Sequence, residues 1–131
     1  MGKKNFILWR WPFKRRSKHW NRGVWAERWA SVWLQLKGYH IRERRYKTFV
    51  GEIDLIAQRG SLLVAVEVKA RPTLREGLES ITTKQQQRIQ RTMQLYLTRH
   101  ENLHGSDLRF DVVVIKPWSW PKHLTHAWGA Y

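Results

Sequence analysis

The 131-residue chain contains no cysteine. That excludes a disulfide scaffold, a thiolate zinc site and a cysteine nucleophile. It fits a reducing, cytoplasmic setting. Long hydrophobic runs are also missing. No apolar segment approaches the ~18 residues that a membrane-spanning helix needs, and "FILW" at 6–9 is shorter than a signal-peptide core of roughly 7–15 residues. Phe6 breaks the myristoylation pattern. There is no glycine-rich phosphate loop, which argues against nucleotide triphosphate use. Six histidines are present, but none falls in an H-E-x-x-H or similar spacing, which argues against a histidine zinc site.

Acidic residues are scarce. Ten Asp+Glu face 25 Lys+Arg, a formal net charge of +15. An excess of this size points to a polyanionic partner, nucleic acid first and an anionic membrane surface second. Residues 1–22 hold eight of the basic residues and no acidic one, with Trp9, Trp11, Phe13 and Trp20 among them. This segment reads as a basic, aromatic-rich arm. Residues 23–131 read as a single domain.

A helix is expected over 23–37, stopped by Gly38. Trp25, Trp29, Val32 and Leu36 form one stripe at helical spacing; Gly23, Ala26, Ala30 and Leu34 form another. A helix apolar over this much of its circumference should be covered on two sides, the tryptophan side by the arm or by a second subunit in a homodimer. Strands are expected over 39–48, 51–58 and 62–69, the last two as a hairpin through "RGS". Residues 71–77 read as a loop and 78–99 as a helix with Ile81, Gln85, Ile89, Thr92 and Tyr96 on one face. A strand over 109–115 and a short edge strand at "HLTHAW" complete an α/β fold around a mixed sheet, with a parallel pair across the helix crossover.

The informative stretch is "GEIDLIAQRGSLLVAVEVKA" at 51–70. Asp54 and Glu67 interrupt two apolar strands that a hairpin brings together, and Lys69 lies on the face of Glu67. Two carboxylates in an apolar setting repel each other and resist desolvation. Lys69 supplies one compensating charge. A divalent cation would supply two, and hard oxygen donors suit Mg²⁺ or Mn²⁺. Glu27 falls at the edge of the small-residue stripe, where an ordinary boundary carboxylate paired with an arginine would also fit.

"GEIDLIA" followed by "VAVEVKAR" resembles the PD-(D/E)XK nuclease signature. The finer resemblance is to the YraN-like bacterial proteins, grouped with Holliday junction resolvase-like nucleases. "GVWAERWASVWLQLKGY" (23–39), "KQQQRI" (84–89) and "RFDVVVI" (109–115) extend it over roughly residues 23–115. It implies a restriction-endonuclease-like αβββαβ core and metal-dependent cleavage of DNA, more than RNA, with branched or junction DNA among the substrates. It implies that Asp54 and Glu67 bind the metal, assisted by a main-chain oxygen near Val68. Lys69 would position the attacking water or steady the developing phosphorane charge, Glu27 would enter the site from the first helix, and Gln85 would serve it from the later one. Asp111 and Glu52 match the family pattern, Asp111 in a structural role and Glu52 standing behind the ligands. Ile53 departs from the proline that often precedes the aspartate. Arg44, Arg45, Arg71, Lys84 and Arg88, on segments flanking the motif, are candidate nucleic-acid contacts. A nucleic-acid-binding module that keeps this fold without catalysis is the alternative.

Overall fold

The computed structural model describes residues 22–129, apart from the side chain of Arg22. The expected arm lies outside these residues, except for Arg22, which begins a helix. That helix, α1, spans Arg22–Leu36. Its small-residue stripe lets it sit close on the sheet: Ala26, Ala30 and Leu34 pack against Leu55, Ala57, Val64, Val66, Val113 and Ile115. The two covers expected for the other stripe, the arm and a second subunit, lie outside the described residues. Trp29, Val32 and Leu36 are 40%, 45% and 74% exposed, while Trp25 is partly buried against the core. The bulky stripe is rotated by about 100° from the alanines, so it turns outward once they touch the sheet. Gly38, at φ 93°, ends the helix. The N–H of Tyr39 reaches back to Leu34 O at 3.0 Å, the long bond of a Schellman cap.

Five strands follow: β1 His40–Lys47, β2 Glu52–Arg59, β3 Leu62–Ala70, β4 Asp107–Ile115 and β5 Lys122–Trp128. They lie side by side in chain order. β3 and β4 are parallel, and every other pair is antiparallel. The β2–β3 hairpin closes through Gly60 and Ser61 alone, with Gly60 at φ 61°. The basic edge strand β1 presents Arg44, Arg45 and Lys47 to solvent, a charge pattern that discourages edge-to-edge pairing.

Between β3 and β4 the chain differs from expectation. The segment read as a loop over 71–77 contains a short helix, α2, at Leu74–Glu79. The helix read as continuous over 78–99 is α3, Thr83–Thr98, separated from α2 by a break. Each has its own threonine cap. Thr73 Oγ1 accepts from Glu76 N at 3.1 Å, and Thr82 Oγ1 accepts from Gln85 N at 3.1 Å. Ile81 therefore precedes α3 and packs with Val112 and Val114. Ile89, Met93 and Tyr96 of α3 cover Ile53, Ile56, Leu63, Ala65 and Phe110 on the face opposite α1.

Gly77, which resembles a loop signal, is a packing residue. A Cβ there would lie 2.4 Å from Val114 Cγ2. Gly77→Ala should therefore destabilise the protein by about 1–3 kcal/mol. Chemical denaturation should show that loss, and Val114→Ala in the same chain should recover part of it. The architecture is α/β, with an αβββαβ order consistent with a restriction-endonuclease-like core, an inserted α2 and an appended β5. No helix among the described residues is long and apolar enough to cross a membrane.

Candidate active site

β2 and β3 pair regularly from Arg59↔Leu62 to Leu55↔Val66. Continued one step, the register would set Asp54 opposite Glu67. There the ladder gives way to a side chain: Asp54 Oδ2 accepts from Val68 N at 2.8 Å. Strand alternation also breaks at Asp54. Ile53 packs with the α3 cluster, whereas Leu55, two residues on, packs with the α1 cluster. β1 breaks at the same level. Arg44 donates to Ser31 Oγ of α1, and Tyr46 stacks edge-on against Tyr96 of α3 at 5.1 Å. Between them Arg45 takes a left-handed φ of 51°. Paired irregularities of this kind re-aim side chains at functional positions, and here they bring Asp54 to the mouth of a cavity at the end of the sheet.

Glu67 is 7% exposed. Lys69 Nζ lies 3.4 Å from its Oε2, and Gln85 Nε2 donates to that oxygen at 3.2 Å. The place of Gln85 on an otherwise apolar helix face is thus accounted for. Burial pushes the Asp54 carboxyl up to about 7, helped by the charge of Glu67, while the Val68 N–H and Lys69 pull the other way. Burial also raises Glu67, against the stabilising charge of Lys69. The two acids share a desolvated site that one ammonium does not neutralise. They open onto a cavity of about 440 Å³ that Glu52 and Gln85 also line, with Lys47 and Arg88 adding positive charge.

Glu27 stands apart. It pairs with Arg45 at 2.8 Å and lines a separate cavity of about 260 Å³ with Arg28 and Arg44. Burial raises its pKa, the Arg45 hydrogen bond lowers it, and the nearby charge of Asp54 raises it further. Among the described residues no three His, Cys, Asp or Glu side chains converge as a ready metal cage.

The candidate nucleic-acid contacts divide. Arg88 lines the main cavity, and Lys84 is exposed on α3. Arg44 and Arg45 are engaged with Ser31 and Glu27. Arg71 donates to Ala70 O at 2.9 Å.

Asp111 lies away from the cavity, fully buried in β4. Arg109 Nε and Nη2 each donate to it at 2.8 Å, His123 Nε2 is 2.7 Å away, and the N–H of His126 donates at 3.0 Å. Lys37 Nζ sits 2.7 Å from His123 Nδ1. An ammonium cannot accept, so Nδ1 accepts and Nε2 carries the proton toward Asp111. Burial pushes the Asp111 carboxyl up, but the hydrogen bonds from His123, Arg109 and His126 outweigh it and hold it below the ordinary range. His123, whose spacing in the sequence offers no metal-ligand pattern, is instead a buried partner of Asp111. Lys47 and Thr48 at the cavity are not singled out in the sequence, although they stand only three or four residues before the motif.

A family model described as "Uncharacterised protein family UPF0102" matches residues 26–115. The chain is 48% identical over 113 residues to a UPF0102 protein of Bartonella tribocorum, covering 86% of this chain and 87% of that one. It is 44% identical over 116 residues to one of Rhizobium meliloti, covering 88% and 95%. A relative from Maricaulis maris is 46% identical over 107 residues, covering 82% and 84%. The matched span contains most of α1, all of the β2–β3 motif and β4, so the chain belongs to the UPF0102, or YraN-like, family.

Proposed function

We propose that the chain is a metal-dependent endonuclease that hydrolyses phosphodiester bonds in DNA, branched or junction DNA included. The observation that carries this reading is the pairing of Asp54 and Glu67 at the splayed end of β2 and β3. Lys69 stands 3.4 Å from Glu67, beside a cavity that Lys47 and Arg88 make attractive to phosphate. The donor set fits a hard divalent cation. Two desolvated carboxylates, one with its pKa pushed up to about 7, lack a matching positive charge.

Asp54 and Glu67 would hold Mg²⁺ or Mn²⁺ with the main-chain oxygen of Val68, leaving positions for water and phosphate. A bound cation supplies Lewis acidity and an acidified water at neutral pH. The chain's own residues do the rest. Gln85 orients the Glu67 carboxylate. Lys69 holds the attacking water or neutralises charge developing on the phosphate. Glu27, held by Arg45 and coupled electrostatically to Asp54, tunes the site from α1 and would become a ligand only by releasing Arg45. The exposed basic surface supplies most of the affinity for nucleic acid.

A second reading, a non-catalytic nucleic-acid-binding module with this fold, is favoured by the lack of a third converging acid among the described residues. A homodimer through Trp29 and Leu36 remains part of the proposal, as does a cytoplasmic location.

Calorimetric titration of Mn²⁺ tests the metal reading. Wild type should bind about one ion per chain, through few protein oxygens and with water completing the shell. Burial and the charge of Glu67 push the Asp54 carboxyl up to about 7, so below this pH binding must displace a proton from the Asp54–Glu67 pair. Affinity should rise by up to about tenfold per pH unit below 7 and level off above it. Glu67→Gln should weaken binding at every pH. Absence of binding by wild type at pH 8 would favour the binding module.

A further inference from the structure

The β1–β2 turn at 48–51 and the β4–β5 loop at 116–121 emerge at one end of the sheet. The register fixes this: Ala70 is level with Ile115, Val114 with Lys122, and Lys47 with Glu52. Asp54 and Glu67 lie within three residues of that end. The two most exposed large hydrophobic side chains of the described residues stand there, Phe49 at 89% and Trp118 at 88%.

The turn that carries Phe49 is pinned by hydrogen bonds. Thr48 N donates to Gly51 O at 2.8 Å, and Thr48 Oγ1 accepts from Val50 N at 3.1 Å and Gly51 N at 3.2 Å. Gly51 presses this turn onto α3 so closely that a Cβ would meet Thr92 Oγ1 at 2.9 Å. Phe49 is therefore held outward on a fixed turn. Trp118 has a φ of 61°, a conformation costly for a bulky residue and associated with functional positions. Lys47 and Arg88 line the cavity beside the first turn, and Lys116 and Lys122 flank the second loop in sequence. The turn and the loop are three inter-strand spacings apart, about 14 Å, with the two carboxylates between them.

We infer that Phe49 and Trp118 are stacking platforms for unpaired bases of a DNA strand that crosses this end of the sheet, so that the site takes single-stranded segments. The inference rests on the nuclease reading for its orientation, because it places the strand's phosphates over Asp54 and Glu67. Aromatic rings interleaved with cations are the physical signature of single-strand binding, since every base offers a π-face. An anionic lipid surface would use the same cations and aromatics, but its planar array of headgroups does not enter the cavity onto which Asp54 and Glu67 open, as a phosphate of a flexible strand can.

The test is fluorescence anisotropy of the full chain in EDTA, with labelled oligo(dT) of about 15 nucleotides and a duplex of the same length. Phe49→Ala and Trp118→Ala should each weaken oligo(dT) binding about fivefold or more and change duplex binding less than about twofold. Phe49→Trp should keep the single-strand affinity. Equal loss on both probes, or no loss on either, would overturn the inference. So would unchanged oligo(dT) binding with lost binding to anionic vesicles. Because EDTA removes cleavage from the measurement, failure here leaves the nuclease reading standing. Failure of wild type to cut DNA with Mn²⁺ would leave the stacking result standing.

Discussion

Asp54→Asn, Glu67→Gln and Lys69→Ala should each reduce Mn²⁺-dependent DNA cleavage by about 100-fold or more, by different routes. The amide variants preserve side-chain shape but remove the negative charges that hold a cation, so metal binding should weaken along with cleavage. Asp54→Asn also places an amide near Val68 N, where a carboxylate oxygen now accepts at 2.8 Å. Lys69→Ala removes an ammonium 3.4 Å from Glu67. That ammonium competes with a cation for the carboxylate, so this variant should bind Mn²⁺ at least as tightly as wild type while losing turnover. All three should bind DNA about as wild type does, because affinity comes mainly from the basic surface. Single-turnover cleavage, calorimetry and anisotropy on the same preparations separate the routes. A Lys69→Ala protein that cuts at the wild-type rate would remove Lys69 from the mechanism.

Asp111→Ala should cause the largest loss of stability from a single polar side chain. The carboxylate is fully buried and satisfies Arg109, His123 and the His126 backbone together. Truncation leaves a guanidinium and an imidazole without their partner in a mostly buried site, which costs about 3–5 kcal/mol. The melting temperature should fall by on the order of 10–15 °C. Asp111→Asn, which keeps an acceptor oxygen, should lose less. The folded Asp111 pKa lies below the ordinary range, so the folded state favours the ionised carboxylate. Its contribution is fully present above the unfolded pKa near ~3.9 and is lost as pH falls through the folded value. Folded Asp111→Ala at low temperature should retain Mn²⁺ affinity, since Asp111 does not line the Asp54–Glu67 cavity. Weakened metal binding in a demonstrably folded variant would contradict this separation of structure from site.

The sequence makes the central motif legible because the proposed chemistry restricts residue type and spacing. Acids inside apolar strands need compensation, and D-x12-E-x-K across a hairpin puts the cation and both acids together. Gln85 is legible for a related reason, as a polar residue on a face that otherwise buries apolar ones. The break at Asp54 is not legible. It depends on two strands bending together, and only the φ of Arg45, with the opposite allegiances of Ile53 and Leu55, reveals it. The resemblance gives Glu27 a metal, whereas its place on the helix wheel fits a boundary carboxylate paired with an arginine; the structure has that pairing, and only the fold shows that the arginine is Arg45, 18 residues on. The α2 helix is hidden because Pro72 and Gly77 resemble loop signals, although "TLRE" at 73–76 is a capping sequence. Gly77 serves close packing on Val114, which no local pattern records. The outward tryptophan stripe follows from which of two plausible faces the alanines let sit down.

The most direct test of the central claim is single-turnover cleavage of end-labelled single-stranded, duplex and four-way-junction DNA by wild type and Asp54→Asn purified in parallel, with Mn²⁺ or EDTA. The account predicts cutting by wild type in Mn²⁺, none above background in EDTA, and none by Asp54→Asn in either. Equal cutting by both proteins, or no cutting of any substrate by a wild type that binds DNA, would contradict it.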